Sequence, residues 1–395
     1  ATPEKKNRVL QRIRENPKAS TIVYVTLQKT AEDVSDFLCA NNINAHPYHA
    51  GMENEKREQI QNKFMDGTLP CIVATIAFGM GIDKKDIRRI IHYDLPKSIE
   101  NYSQEIGRSG RDGKPALCEV LANRDNVHIL ENFVYGDTPE KHSIFQLLRT
   151  IKENKGFIWG IKAVKLSNDL NIRILPLKTL LVYLAMQAII RPRLSYFEEY
   201  SFKFNTKPET IISHFTGERK EFVAALIDHC HTRKIWTYVD IQAILNSYST
   251  DRQRILTALE YFDEKGWIEL QSRQAMEVYD ILTQAFDIEV MAEKMYALFK
   301  KKEELEIQRI HNMVSFFESN ACISKQLAEY FGEHLEKERC GHCSFCKSGK
   351  AVLQHTTELK PLAHFDFKTI TGEFMQAVGE QFTEVNLTKF LCGIY

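Results

Sequence analysis

The sequence predicts a mixed α/β protein: a parallel-sheet lobe at the front, then helical domains with short paired strands, then a helical metal-binding module. Three observations carry this. Strand and helix signals alternate over residues 1–137, helices followed by two-strand signals occupy 138–285, and four of the nine cysteines gather between 322 and 346. At about 150 residues per domain, a chain of this length holds about two to three separate cores.

Within 1–137, the runs 21–25, 71–75, 89–93 and 116–121 are short, apolar and β-branched, as strands buried on both faces should be. Amphipathic stretches at 32–40 and 53–65 lie between them, so the strands are expected to join by helical crossovers into a βαβ sheet. Ligands then belong at the carboxyl ends of the strands, in the loops after Thr75 and Tyr93.

From 138 the pattern changes. Helices at 161–170 and 176–187 precede apolar runs at 189–194 and 200–204, which read as a hairpin. A strand at 237–239 then leads to helices at 240–247 and 251–264. Thr250 or Asp251 is the N-cap and Gly266 the stop, with one strand opening at 267–270 and another closing at 277–279. Helix, turn, helix, two strands is the winged-helix plan, expected once in 138–207 and again in 208–285. Such domains bind duplex DNA or serve as protein-packing scaffolds. In the second copy Arg252 and Arg254 start a helix where positive charge opposes the dipole, so an anion is expected there. Thr250, Arg252, Gln253, Arg254 and Arg273 make the phosphate-contact set. In the first copy, aromatics at the hairpin tip 194–197 suit either stacking on a base pair or ordinary packing.

Residues 286–350 read as a charged helix at 294–317, a second helix carrying Cys322, and a knuckle of two overlapping C-x-x-C steps, Cys340-Gly341-His342-Cys343 and Cys343-Ser344-Phe345-Cys346. Cys322, Cys340, Cys343 and Cys346 supply four thiolates, the full tetrahedral set of a structural zinc with no open position for water. A disulfide framework is the competing use, and His334 and His342 are substitute ligands. The segment 351–395 carries helices near 367–378 and 386–391 and no nameable chemistry.

Composition narrows the partners. Lys plus Arg number 52 and Asp plus Glu 52, so any polyanion site must be local. No apolar run reaches the roughly 18 residues of a membrane span, and the N-terminus lacks the apolar core of a secretory signal, so an intracellular protein is expected. A chain opening on Ala1-Thr2-Pro3 and ending in Cys392-Gly393-Ile394-Tyr395 is expected to be part of a longer protein.

Two segments carry phosphate chemistry. Residues 72–83 place small residues and Gly79 and Gly81 just after a strand, where backbone can approach a phosphate closely. Gln104-Glu105-Ile106-Gly107-Arg108-Ser109-Gly110-Arg111-Asp112-Gly113 presents two arginines three apart, one side of a helical turn. Arginine is always charged and its fork matches phosphate oxygens; a surface ion pair is the plainer alternative.

On these residues the chain resembles the second RecA-like lobe of superfamily-2 helicases, specifically the RecQ family. Residues 72–83 resemble motif V and 104–113 motif VI, while 21–38 resemble motif IV and Tyr48-His49-Ala50-Gly51 the short block after it. The cysteine segment, with Glu329-Tyr330-Phe331-Gly332 before the knuckle, is similar to the RecQ zinc-binding module. The resemblance implies that Arg111 is the arginine finger to an ATP γ-phosphate, with Arg108 beside it and Gln104 at the nucleotide. Gly79 and Asp83 would face the nucleotide, and Thr75 a phosphate of bound single-stranded DNA. It implies 3′ to 5′ unwinding of duplex DNA in repair and recombination, in the nucleoid of a bacterium or the nucleus of a eukaryote.

The departures are as informative. No Gly-x-x-x-x-Gly-Lys-(Ser/Thr) occurs, nor an Asp-Glu-x-His, so ATP and magnesium are expected only with a first RecA-like lobe supplied by the same native protein, and the chain alone is expected to be inactive. About 200 residues separate Gly113 from Cys322, an order resembling the subgroup that includes the Rothmund-Thomson helicase. Two other readings compete. A non-catalytic winged-helix and zinc adaptor leaves Arg108 and Arg111 without a purpose, and a DEAD-box RNA helicase does not predict the four cysteines.

Overall fold

A computed structural model describes residues 3–79, 82–121, 123–193, 196–233, 235–355, 361–379 and 383–394. The chain divides into two compact units, Ala1–Thr138 with Lys300–Tyr395, and Pro139–Phe299.

The first unit begins with α1 (Pro3–Arg14), β1 (Thr21–Tyr24), α2 (Gln28–Ala40), β2 (Ala45–Tyr48), α3 (Asn54–Met65), β3 (Cys71–Ala74), β4 (Arg89–His92), α4 (Ile99–Ile106), β5 (Leu117–Val120) and α5 (Val127–Gly136). The strands form one parallel sheet in the order β2-β3-β1-β4-β5. Side chains alternate across a strand, and β1 shows it: Ile22 and Tyr24 pack with Ile60, Phe64 and Phe78 on one face, Val23 with Val9, Ile13, Val34 and Leu38 on the other. Lys5 of α1 fastens the strand ends, donating to the Tyr93 carbonyl at 3.0 Å and to Asn123 Oδ1 at 2.9 Å; burial pushes its ammonium below the usual lysine range.

The strand and helix alternation in the sequence is real but incomplete. β2 carries no strand signal, because Ala45-His46-Pro47-Tyr48 is neither alternating nor β-branched. It pairs only with β3, and an edge strand tolerates a proline without an N–H. No helix joins β3 to β4 among the described residues. The chain instead crosses as turns and extended backbone that bury Phe78, Ile82 and Ile87 against the sheet.

The second unit contains α6 (Lys141–Lys152), β6 (Ile158–Lys162), α7 (Ala163–Asp169), α8 (Ile174–Met186), β7 (Ile190–Pro192), β8 (Tyr196–Phe204), α9 (Pro208–Ser213), α10 (Gly217–Asp228), β9 (Cys230–Arg233), β10 (Trp236–Val239), α11 (Ile241–Ser247), α12 (Arg252–Glu264), β11 (Ile268–Ile281) and the start of α13 (Ile288–Phe317). Its strands are antiparallel in the order β6-β11-β8-β10-β9, with β7 also on β11.

Four expectations change here. Residues 189–194 do not form a hairpin with 200–204: β7 pairs with the end of β11, Ile190 opposite Ile281, and β8 pairs with β10 and β11. The expected helix at 161–170 begins two residues later, because Ile161 lies in β6 opposite Glu277. The two wing strands at 267–270 and 277–279 are one strand of fourteen residues, which serves two cores. Ile268 packs with Phe202, Phe222, Leu226, Ile255 and Leu259, while Ile281 packs with Ile144, Leu148, Leu181 and Phe299. A boundary at 207 therefore does not separate the cores, since Tyr200 and Phe202 of β8 belong to the core of α10 and α12. Asp251 is the N-cap of α12, its carboxylate accepting the Arg254 N–H, and Gly266, at positive φ, follows the C-cap Lys265. Leu194 and Ser195 of the hairpin tip lie outside the described residues, as do the side chains of Tyr196, Phe197 and Arg273.

The chain returns to the first unit through the second half of α13. It then forms α14 (Ile323–Tyr330), α15 (Ser344–Ser348), α16 (Phe367–Val378) and α17 (Glu384–Leu391). Ile310, Met313, Phe316 and Phe317 of α13 bury against Ile99 and Tyr102 of α4 and Leu130 and Val134 of α5. The α17 end is tied by Asn132, whose amide donates to the Cys392 carbonyl at 2.6 Å. No helix among the described residues is long and apolar enough to cross a membrane.

Candidate functional site

The arginines of 104–113 and the glycine-bearing segment after β3 meet. α4 carries Ile99, Tyr102 and Glu105 on its buried face and stops at Ile106, with Gly107 as its cap. Arg108 and Arg111 therefore lie beyond the helix and do not share one of its turns, which corrects the helical-turn expectation. Arg108 turns inward and donates from Nη1 to the Gly79 carbonyl. A Cβ at Gly79 would lie 2.6 Å from Arg108 Nη2, so the glycine is needed for the guanidinium's close approach. Arg111 turns outward, pairs with Asp83 at 2.9 Å and donates from Nε to the Gly107 carbonyl at 3.3 Å. With side-chain exposures of 39% and 74%, the Arg111–Asp83 pair is a surface ion pair worth about 0–1 kcal/mol. That alternative thus describes Arg111 and does not describe half-buried Arg108.

Behind the arginines stand groups to which the sequence alone assigns no role. Tyr24 donates its hydroxyl to the Phe78 carbonyl at 3.2 Å; burial, then the Glu105 carboxylate, raises its pKa well above the usual phenol range. His92 stacks on Tyr24 with ring centroids 5.4 Å apart and places Nε2 2.7 Å from Glu105 Oε2. Glu105 is visible in the sequence as an anomaly, an acidic residue on the apolar stripe Ile99, Tyr102, Glu105 of an amphipathic helix.

The structure also places the other expected residues. Gln104 is exposed on α4. Thr75 is buried, its N–H donating to the Tyr48 carbonyl at 3.1 Å and its hydroxyl accepting the Ala77 N–H at 3.5 Å. His49 is buried with Nε2 3.3 Å from Glu32 Oε1. In the second unit, Arg254 already has its anion: Nη2 meets both Glu218 oxygens at 2.8 and 2.7 Å, and the guanidinium lies over the Phe222 ring at 4.2 Å. Arg254, then the Tyr248 hydroxyl, holds the Glu218 carboxyl below the usual range. The anion inferred from the helix dipole is thus within the chain. Arg252 is half-buried, Gln253 is exposed, and Thr250 Oγ1 is buried without a hydrogen-bond partner among the described residues.

Cys322, Cys340, Cys343 and Cys346 converge, all four sulfurs within 4.8 Å of one another. Cys322 is the N-cap residue of α14 and Cys343 that of α15. Zinc–sulfur bonds of 2.3 Å set tetrahedral sulfurs about 3.8 Å apart, and the Cys322–Cys343 and Cys340–Cys346 separations are both 3.9 Å. Disulfides are excluded at these spacings, since a bonded pair sits at about 2.05 Å. Backbone N–H groups point at the sulfurs: Cys340 N to Cys322 Sγ at 3.3 Å, Cys343 N to Cys340 Sγ at 3.3 Å and Cys346 N to Cys343 Sγ at 3.5 Å. Burial pushes the Cys340 thiol up, but the Ser324 hydroxyl and the His342 and Cys343 N–H groups outweigh it and hold the pKa down at about 5. The donor set fits zinc. His342 stands aside, exposed, with Nδ1 3.0 Å from the Cys340 carbonyl.

Comparison with known proteins matches two stretches of the chain. Residues 4–113 match the helicase conserved C-terminal domain and residues 280–347 the RecQ zinc-binding domain. The chain is 27% identical over 304 residues to ATP-dependent DNA helicase Q-like 5 of Arabidopsis thaliana, covering 75% of this chain and 33% of that protein. It is 47% identical over 128 residues to the putative ATP-dependent DNA helicase Q1 of Caenorhabditis briggsae, covering 32% and 21%. It is also 39% identical over 135 residues to the mouse bifunctional 3'-5' exonuclease/ATP-dependent helicase WRN, covering 34% and 10%. The chain thus spans a third or less of these relatives.

Two measurements check these assignments. Metal analysis of the purified chain should return one zinc per chain, and Cys343→Ser should lose the metal and lower the melting temperature; a folded, zinc-free wild-type chain would contradict the assignment. Gly79→Ala should barely change the melting temperature, because the clash falls on the tip of a flexible side chain, yet a crystal structure should show Arg108 displaced from the residue 79 carbonyl. With a match to the helicase conserved C-terminal domain at its front and to the RecQ zinc-binding domain behind, the chain is similar to the C-terminal region of RecQ-family superfamily-2 helicases.

Proposed function

We propose that this chain supplies the second half of the ATP site of a DNA helicase. Gly79, Asp83, Arg108 and Arg111, with Gln104 beside them, face a nucleotide held by a Walker-motif lobe. One observation supports the reading: both arginines converge on the single crossing segment 79–83, Arg108 anchored and Arg111 held by a surface pair with Asp83 and a 3.3 Å bond to the Gly107 carbonyl. An arginine finger must be pre-aimed yet cheap to release. A phosphate accepting a bidentate guanidinium readily outcompetes one exposed carboxylate. Arg111 would then stabilise charge on the transferring phosphoryl group, while Arg108 keeps the segment in place.

ATP turnover would drive 3′ to 5′ unwinding in repair and recombination, inside the cell at the genome. Thr75 of the lobe and the α12 start, through Thr250, Arg252 and Gln253, would meet DNA phosphates, with Arg273 of β11 as a further contact. Arg254 serves that surface indirectly, by fixing Glu218 and Tyr248 beside the helix start. The zinc is structural, with all four positions taken by sulfur. Magnesium and the phosphate cradle come from the Walker-motif lobe.

The test joins this chain to a lobe carrying Gly-x-x-x-x-Gly-Lys-(Ser/Thr). The joined protein should show DNA-stimulated ATPase that Arg111→Ala lowers by about 10³-fold or more, and the chain alone should hydrolyse no ATP. Turnover by the chain alone, lost on Arg111→Ala, would contradict the proposal.

A further inference from the structure

Helix α4 is contacted by the module that holds the four cysteines. Tyr330, the last residue of α14, donates its hydroxyl to Glu100 Oε1 at 2.6 Å. Two residues further along α4, the Tyr102 ring packs edge-on to Phe317 at 5.4 Å and tilted against Phe316 at 6.0 Å. α14 starts at the ligand Cys322 and ends at Tyr330, so its eight residues run directly from the metal cluster to α4. α4 in turn is eight residues long and delivers Arg108 two residues beyond its end. Rigid helices of this length transmit a displacement at one end to the other, because packed elements shift as units.

We infer that Tyr330 and Glu100 are positioning residues that tie the aim of Arg108 and Arg111 to the occupancy of the four-cysteine site. The nucleotide role of those arginines rests on the function proposed above; the mechanical coupling does not. When the cluster is intact, α14 holds Tyr330 on Glu100 and fixes the register of α4. When the sulfurs part, α14 loses its N-terminal anchor, the Tyr330 bond is released, and the arginines lose their fixed approach to the 79–83 segment.

The experiment uses the 395-residue chain with ¹⁵N-arginine. The Nε–H resonances of Arg108 and Arg111 are assigned by Arg108→Lys and Arg111→Lys. Tyr330→Phe, Glu100→Ala and metal removal by a chelator should each shift or broaden both resonances. Glu100→Gln, which keeps an oxygen to accept the Tyr330 hydroxyl, should restore the wild-type positions. Tyr279→Phe, which removes a comparable tyrosine–carboxylate bond to Glu277 in the second unit, should leave them unmoved. Zinc is counted in every sample, and Glu100→Ala, which leaves α14 itself unaltered, carries the test should Tyr330→Phe lose its metal. Unmoved resonances in Tyr330→Phe and Glu100→Ala would overturn the inference, as would an equal response to Tyr279→Phe. Because no nucleotide is present, a failure of the ATP assignment alone would leave these results unchanged.

Discussion

The placement of α4 depends on a buried contact between a histidine and a carboxylate. His92, at the end of β4, and Glu105, on the inner face of α4, meet at 2.7 Å with almost no access to water. Truncating one member of a buried, hydrogen-bonded pair costs about 1–3 kcal/mol, because the survivor's polar group is left unsatisfied. The pair is also local to the chemistry: His92 stacks on Tyr24, Tyr24 holds the Phe78 carbonyl, and Arg108 holds the next one. Sheet, helix and crossing segment are thereby joined within a few side chains of the arginines.

The rest of the buried face of α4 is apolar and aromatic. Phe316 and Phe317 lie more than two hundred residues from Tyr102 in sequence yet complete its environment. The zinc module is therefore part of the lobe's core and not an appended tag. The helicase C-terminal domain and the zinc-binding domain match as two separate stretches, residues 4–113 and 280–347, and this shared core is the physical counterpart of their pairing.

Much of this is legible in the residues, for reasons that differ by element. β1, β3 and β4 are continuous apolar runs because both faces are covered, and the cysteines announce themselves by spacing. β2 is hidden by Pro47, tolerable only at an edge that the sequence does not mark. β11 looks like two strands because Gln271-Ser272-Arg273-Gln274 interrupts its apolar pattern, while its backbone ladder to β8 runs on through Arg273 opposite Glu199. The arginine spacing suggests a helical turn, but Gly107 ends the helix first. Glu218 as the anion of Arg254 lies 36 residues away and has no local signature.

The central claim is that Arg111 exchanges Asp83 for a phosphate. The most direct measurement is a structure of this chain joined to a Walker-motif lobe, trapped with ADP and a mimic of the transferring phosphoryl group. The Arg111 guanidinium should have left Asp83 and lie at about 3 Å from the mimic, with Arg108 still on the Gly79 carbonyl. Arg111 remaining on Asp83 beside an occupied site would contradict it.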